Sequence, residues 1–439
     1  MKQTLLTFLD GGVHPPEGKE LTAHLPVEVM PAPDEVEILL SQHFGAPCQP
    51  VVKKKAMVTQ GDLIGEVSKG LGASIHASVT GKVKTIGSAP HPMKVTTQSV
   101  CIETDHDAPQ KKYSPCDWQA LPREELISRV KNGGIVGIGG AGFPSHVKLS
   151  PPPKAKITTL ILNGAECEPY LTVDHRLMLE NTEQIIEGAK IILTILGIKD
   201  CHIGIEANKP DAVEAMSKAA KDAGSYFHIS VDALKVKYPQ GSEKQLIESI
   251  TGRRVPAFGL PMDVGAVVHN VGTARAIFDA VVLNKPLYEK VVTISGLGIN
   301  RPANLSVKIG TRLKDIVSFL GGTKKNLAKV VLGGPMMGFS IPNLDFPVTK
   351  TTSGVLFLTN DEIDTRSYSQ CIRCGWCLEA CPMGLSPNEI GIYVEAGRAE
   401  DTGQFGVFEC FECGSCAYVC PAKRPLVQFI RIGKMKAKR

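Results

Sequence analysis

The period of the apolar positions changes twice along the chain. Up to about residue 115, apolar and polar residues alternate in short runs broken by glycine. QGDLIGEV (60–67) and SIHASVTGKVKTIG (74–87), punctuated by Gly61, Gly65, Gly81 and Gly87, carry the two-residue period of half-buried strands. From 116 onward the texture becomes strand alternating with helix. A helix is predicted over 123–131, a buried strand over 157–162, and a single long amphipathic helix over 177–196. Leu177, Ile185, Ala189, Ile192, Leu193 and Leu196 share one face of that helix. A strand over 201–206 and a helix over 211–223 follow, and such alternation predicts a mostly parallel sheet covered by helices. Ser242-Glu243-Lys244-Gln245 has capping-box spacing and predicts a helix that stops at Gly252. Residues 288–328 read as strand, turn, strand, then a helix capped by Thr311 and ended by Gly321-Gly322, a β-grasp-like unit. Strands over 329–332 and 354–358 are expected to return to the preceding domain's sheet. A boundary crossed by few contacts is expected near Asp361.

Cysteine spacing supplies the chemistry. Cys371, Cys374, Cys377 and Cys381-Pro382 are repeated in the same pattern as Cys410, Cys413, Cys416 and Cys420-Pro421. Three thiolates at a spacing of three wrap one face of a cubane, and in two-cluster ferredoxins the fourth is carried to the other cluster. One [4Fe–4S] cluster is therefore expected on Cys371, Cys374, Cys377 and Cys420, and the other on Cys410, Cys413, Cys416 and Cys381. Zinc on paired CxxC knuckles is the competing assignment; the duplicated run with its trailing proline favours clusters. Between the repeats, Ser386-Pro387-Asn388-Glu389 opens a helix that closes at Gly397, and the 29-residue step suggests a helical hairpin. The other five cysteines (Cys48, Cys101, Cys116, Cys167 and Cys201) are an odd remainder, which fits a reducing cytoplasm better than a disulfide framework.

Composition narrows the class. Hydrophobic residues make up 43% and charged residues 21% of 439, an ordinary globular balance, so several domains are expected. No apolar run approaches the roughly 20 residues of a membrane helix, and the N-terminal stretch does not have the form of a signal peptide. Seven basic residues between Lys423 and Arg439 outweigh the net charge of +5, leaving the body slightly acidic. That tail is either a solvated end or a patch for acidic lipid or an acidic partner. No basic stripe with interleaved aromatics marks a nucleic-acid surface.

Clusters move single electrons, so a source of single electrons is expected upstream. GIGGAGFP (137–144) contains a G-x-G-x-x-G, weak alone because Pro144 follows it directly. LNGAECEP (162–169), YPQGSEKQLIESITGRRVPAFGLP (238–261) and VHNVGTARAI (268–277) follow it. In that order these motifs resemble the flavin-bearing, NADH-oxidising subunit of respiratory complex I over about residues 120–360. The strands of 60–87 resemble the barrel-sandwich fold of biotinyl and lipoyl domains. However, Ser68-Lys69-Gly70-Leu71 lacks the flanks of a modified lysine, so Lys69 is expected to be a surface turn residue. From GGVHPPEGK to the twin cysteine runs, nearly the whole chain resembles the C subunits of Rnf ion-translocating ferredoxin:NAD⁺ oxidoreductases.

The resemblance implies a multidomain α/β fold. Its parts are a β barrel-sandwich domain (1–115), a Rossmann-like α/β domain for FMN and NADH (116–287) and a β-grasp, SLBB-like unit (288–328). Return strands of the flavin domain (329–360) and a helical two-cluster ferredoxin domain (361–439) complete it. It further implies non-covalent FMN, NAD(H) and two [4Fe–4S] clusters, with the chain peripheral at the cytoplasmic face of the membrane. Membrane subunits of the complex and NADH are the implied partners, with ferredoxin a further candidate, and nucleic acid is not expected. Gly137, Gly139, Gly140 and Gly142 would let backbone approach the cofactors. Phe143 would stack on a ring, Lys148 would lie near NADH phosphate or ribose, and Asn163 would bond the flavin. Glu166 and Glu243 are the implied catalytic acids, with Glu168 beside Glu166 on the nicotinamide side. Asn270 and Thr273 would complete the flavin and phosphate contacts. The chain departs from the complex I pattern at Ile138 (arginine there), Ala165 (aspartate), Ser242 (the first of two acids) and His269 (asparagine), which bears on how NADH is held. A soluble flavin–cluster reductase similar to cobalamin reductases, or a relay that does not oxidise NADH, remains an alternative.

Overall fold

The computed structural model describes residues 4–92, 94–109 and 111–438. The strand-rich N-terminal region forms two sheets. One runs in the order Glu35–Leu39, Lys94–Thr104, Gly81–His91, Met57–Val58, and the other Gln49–Pro50, Leu63–Glu66, Ile75–His76. Val36, Ile38, Ile64, Ile75, Val100 and Ile102 pack between them, which makes the barrel sandwich. Lys69 stands exposed in a bend.

The flavin-type domain is built on four parallel strands in the order His228–Leu234, Asp200–Glu206, Thr159–Asn163, Ala266–Asn270. Leu160, Leu162, Ile203 and Ile205 pack against Ile185, Ile192 and Ile277 of the covering helices. The long helix expected over 177–196 is two helices, Val173–Glu180 and Thr182–Leu196. Asn181 leaves helical geometry at φ −129°, ψ 31°, and Thr182 Oγ1 donates to the Met178 carbonyl that the break would orphan. The apolar period runs on across the kink because both helices bury a face on one core. The helix Glu243–Thr251 ends at Gly252 as predicted, but Ser242 makes no side-chain cap. Gln245, which would close the capping box, instead donates to the Pro382 carbonyl of the cluster domain at 3.1 Å.

The third sheet corrects the expected return strands. Gly354–Thr359 runs parallel to Glu289–Ser295 and antiparallel to Leu327–Leu332, so both late strands extend the β-grasp sheet rather than the flavin sheet. A hairpin and one helix cannot enclose a core alone; Val355, Phe357 and Leu332 complete the cluster around Val292, Ile294 and Leu305. Val27–Val29, from the N-terminal segment, adds the far edge by pairing with Ala303–Lys308. The helix Leu313–Phe319 starts from Arg312 rather than Thr311, because Arg312 is drawn into a bridge with Pro347 and the Thr311 hydroxyl is buried without a partner.

Lys350 ties three domains together. Its buried ammonium donates to Ser74 O of the barrel sandwich (2.6 Å) and Gly134 O of the flavin domain (2.7 Å), while its amide donates to Gln42 Oε1 (2.9 Å). The equally buried Lys290 donates to the Lys350 carbonyl at 2.9 Å. Burial pulls both ammonium groups from 10.5 down to about 7. Around Lys350, burial first and its charge second hold His43 at about 4 and His76 at about 3, and burial holds the Cys48 thiol up to about 11. Between pH 7 and 10.5 the unfolded chain therefore binds more protons at the two lysines, and their burial cost is relieved as pH rises through that window. Wild-type stability should climb with pH there, and Lys350→Met should climb less steeply, by at most about 1.4 kcal/mol per pH unit. Urea unfolding at pH 7 and pH 9 checks this; equal slopes would show that Lys350 does not titrate.

In the cluster domain, the expected helical hairpin is one α-helix, Pro387–Glu395, followed by 3₁₀ turns at Ala399–Phe405 and Val407–Glu409. The basic tail forms the helix Leu426–Lys436, which packs on Pro387–Glu395. Arg431 and Lys434 both pair with Glu412 at 2.7 Å, Lys423 pairs with Asp364, and Arg424 pairs with Glu395. Much of the tail's charge is thus satisfied within the domain. No helix among the described residues is long and apolar enough to cross a membrane.

Candidate functional site

The strand order of the flavin-type domain creates the crevice. After Thr159–Asn163 the chain builds outward on one side, then crosses back to add Ala266–Asn270 on the other. The carboxyl ends of these two neighbours form a topological switch point, where open α/β sheets bind ligands. Asn163 and Asn270 end the two strands in register. Asn270 caps the helix Val271–Val282 by accepting from the Gly272 amide (2.7 Å) and donates to Asp174 Oδ2 (2.7 Å). Asn163 Nδ2 donates to Gly241 O (2.8 Å), which brings the start of the Glu243–Thr251 helix to the same place.

The glycine loop lies beside these asparagines. Ile138 N donates to Thr273 Oγ1 (2.9 Å), and Gly137 N closes the loop on Phe143 O (2.9 Å). Gly139 has φ +82°, and a Cβ on it would stand 3.3 Å from Asn270 Nδ2; a Cβ on Gly140 would meet nothing within 4 Å. Lys148 Nζ donates to Glu243 Oε1 (2.7 Å) and Val268 O (3.1 Å). The structure therefore brings Gly137, Gly139, Gly140, Lys148, Asn163, Glu243, Asn270 and Thr273 to one crevice. His269, between Lys148's acceptor Val268 and Asn270, is fully buried, held neutral by desolvation that pulls it down to about 3, and its Nε2 has no partner in the protein. A glycine cradle open at Gly140, an unused buried nitrogen and paired amide side chains fit a flat, polar-edged cofactor such as a flavin.

The acids of 166–168 are engaged by backbone amides. Glu166 accepts from the amides of Asp174 (2.7 Å) and His175 (3.2 Å), so both carboxylate oxygens are engaged at the start of the Val173–Glu180 helix. Burial, then the charge of Glu166, pushes Asp174 up to about 7. Glu168 accepts from the amides of Met336 (3.1 Å) and Met337 (3.0 Å), and burial pushes it up to about 7. The loop itself is held by Lys19, whose buried ammonium donates to the carbonyls of Glu166, Glu168 and Leu171. Lys19 lies within GGVHPPEGK, so that segment is a strap over the flavin-type domain, and nothing local in the sequence marked what it holds.

Each set of four cysteines expected to share a cluster lines one cavity. Cys371, Cys374, Cys377 and Cys420 line the first, and Cys381, Cys410, Cys413 and Cys416 the second. Among the described residues no three His, Cys, Asp or Glu side chains converge on a single-ion site. Four thiols around a shared cavity fit the donor set of a cubane, and in each cavity the fourth lining cysteine comes from the other motif. The second cavity is the inner one. Tyr238 hydroxyl donates to Cys413 O (2.7 Å), Gly12 N donates to Ala380 O (3.0 Å), and a Cβ on Gly11 would lie 2.5 Å from the Cys381 carbonyl carbon. The first is the outer one: Cys374 is exposed, and the neighbouring Ile372 and Trp376 are 66% and 52% exposed.

Comparison with known proteins agrees domain by domain. Residues 7–107 match the RnfC barrel sandwich hybrid domain, 130–279 the Nuo51 FMN-binding domain, 291–340 the SLBB domain and 367–424 a 4Fe–4S dicluster domain. The C subunits of three ion-translocating complexes are similar over nearly all of this chain. That of the proton-translocating ferredoxin:NAD(+) oxidoreductase complex of Clostridium ljungdahlii is 47% identical over 98% of this chain and 94% of its own length. That of the Na(+)-translocating ferredoxin:NAD(+) oxidoreductase complex of Acetobacterium woodii is 42% identical over 97% and 96%. That of the ion-translocating oxidoreductase complex of Rhodobacter capsulatus is 43% identical over 97% and 82%. An NAD+-reducing [NiFe]-hydrogenase in the H2-reduced state shares the fold over 73% of this chain and 62% of its own, with a TM-score of 0.51 at 17% identity. With its four domains in this order and near-full-length identity to these proteins, the chain belongs to the family of C subunits of the ion-translocating ferredoxin:NAD(+) oxidoreductase complexes.

Proposed function

We propose that this chain transfers electrons between NAD(H) and partner subunits of a membrane-bound, ion-translocating complex, as a peripheral subunit at its cytoplasmic face. NADH and the membrane subunits are its partners in this role, with ferredoxin a further electron partner of the complex. FMN, bound without a covalent link, exchanges electron pairs with nicotinamide and single electrons with the clusters. Gly139 and Gly140 let backbone approach it, and Asn163, His269, Asn270 and Thr273 orient its polar edge. Lys148 neutralises nucleotide phosphate or binds ribose, and Glu243, paired to Lys148, faces the nicotinamide. Glu166 and Lys19 hold the intervening loop in place, with Glu168 bracing that loop against the β-grasp sheet at Met336 and Met337.

The observation that carries this reading is a single loop that touches both centres. Gly241 O accepts from Asn163 at the crevice, while three residues earlier the Tyr238 hydroxyl donates to the carbonyl of the inner-cluster ligand Cys413. Cys381, Cys410, Cys413 and Cys416 would hold a cluster on the side of the crevice loop, and Cys371, Cys374, Cys377 and Cys420 would hold one beside the exposed Ile372 and Trp376, where it could exchange single electrons with a partner.

Anaerobic titration with NADH, followed optically and by electron paramagnetic resonance, tests the proposal. Flavin absorbance should bleach and cluster signals should follow; an unbleached flavin would make the chain a relay. Glu243→Gln should slow NADH-dependent bleaching by about tenfold, the loss of one charge-assisted contact, while flavin content stays near wild type. Loss of flavin without a change in the rate per bound flavin would move Glu243 out of the nicotinamide pocket.

A further inference from the structure

The N-terminal barrel sandwich places an aromatic ring beside the glycine loop. Phe44 N donates to Gly142 O at 3.0 Å, and the rings of Phe44 and Phe143 stack with centroids 5.8 Å apart and planes 29° apart. A Cβ on Gly142 would lie 2.7 Å from Thr351 Cγ2 and 3.2 Å from His43 Cα, so the two domains meet here with no room for a side chain. The turn that carries Phe44 is fixed from several directions. Gln42 Nε2 donates to Leu39 O (2.7 Å), Gln42 Oε1 accepts from the Lys350 amide (2.9 Å), and Ala46 N donates to Leu71 O (2.8 Å). Yet Phe44 is 56% exposed. The turn thus holds the Phe44 ring against Phe143 of the glycine loop and leaves part of it open to a planar ligand.

We propose that Phe44 is a nucleotide-positioning residue: with Phe143 it forms the aromatic wall on which the adenine of the nicotinamide dinucleotide stacks. The inference rests on the NADH-binding role proposed above. The nicotinamide must reach the crevice between Asn163 and Asn270, so the rim at Phe44 meets the dinucleotide's other planar ring. The barrel sandwich thereby contributes to substrate binding without carrying a cofactor of its own.

The test uses the full-length holoprotein with NADH, with reduced nicotinamide mononucleotide, which lacks adenine, and with NAD⁺ in calorimetry. Phe44→Ala should raise KM for NADH and the NAD⁺ dissociation constant by about three- to tenfold, the size of one aromatic stacking contact. The kcat at saturation should change by less than about twofold, and KM for the mononucleotide should not move. Phe44→Trp should restore NADH affinity and respond to added NAD⁺ with a fluorescence change absent from the wild type. Unchanged NADH and NAD⁺ affinities in Phe44→Ala, or equal losses for both reduced nucleotides, would overturn the assignment. If the wild type itself bound no NAD⁺ and resisted bleaching by NADH, the proposed function would fall first and this inference with it.

Discussion

Cys420→Ala is expected to remove the cluster whose other three ligands lie 43 to 49 residues upstream, in the motif to which Cys420 does not belong. Its thiol lines the cavity of Cys371, Cys374 and Cys377, whereas Cys381 lines that of Cys410, Cys413 and Cys416. Iron should fall from about eight to about four per chain, with labile sulfide in proportion. The remaining paramagnetic signal should belong to the inner cluster. Because that cluster keeps its four ligands and its contact with Tyr238, NADH should still bleach the flavin, and a small dye should still be reduced. Delivery to a protein partner should be lost, since the exposed centre beside Ile372 and Trp376 is gone. Survival of the Cys371 cluster with loss of the Cys410 cluster would show that each motif closes its own cubane. Undiminished delivery to the partner would remove the outer cluster from the electron path.

Gly139→Val should have the second large effect, at the other end of that path. Gly139 has φ +82°, a conformation strained for any β-branched residue by about 1–3 kcal/mol. Its Cβ would press on the Asn270 amide at 3.3 Å, and the branches would enter the space open above Gly140. Strain and crowding together should weaken flavin binding by about a hundredfold or more. The purified variant should carry little flavin and oxidise NADH only feebly, while iron and sulfide stay near wild type because the clusters are held by another domain. A Gly139→Val protein with full flavin and normal NADH oxidation would reduce the glycine loop to a structural turn. A parallel Gly140→Ala change should be mild, since its Cβ would meet nothing within 4 Å.

Some features were legible because they depend only on residues close in sequence. The cysteine runs, with their spacing of three and trailing prolines, form a ferredoxin-type ligand pattern before any tertiary contact forms. The strand and helix periods place Arg123–Asn132, Asp200–Glu206, Pro210–Asp222 and the glycine-stopped Glu243–Thr251 within a residue or two, whereas the strand His228–Leu234 was not predicted. Where a local pattern served two structures equally well, it could not choose between them. The apolar period of 177–196 suits one helix or two, and only packing at Asn181 separates them.

What the sequence by itself determined is thus the proposed set of cluster ligands, the order of domains and the motifs brought together at the crevice. The tertiary structure decided which edges and charges those parts meet. Gly354–Thr359 carries no mark of whether it will pair with Thr159–Asn163 or with Glu289–Ser295, because a strand's partner is set by which sheet leaves an edge and an apolar face uncovered. Val27–Val29 closes a sheet whose other strands lie more than 260 residues away. Lys19, Gln245 and Lys350 look like ordinary surface side chains in the sequence, yet they are buried as ties between domains. The expected boundary near Asp361 is crossed by contacts from Gly12, Tyr238, Lys244 and Gln245. The aims of Glu166 and Glu168 were likewise settled by distant backbone amides at 174–175 and 336–337. Local spacing encodes ligand sets and periods because a few backbone dihedrals suffice to realise them. Side-chain aim and domain contact depend on burial summed over distant segments, which have no signature at the residue itself.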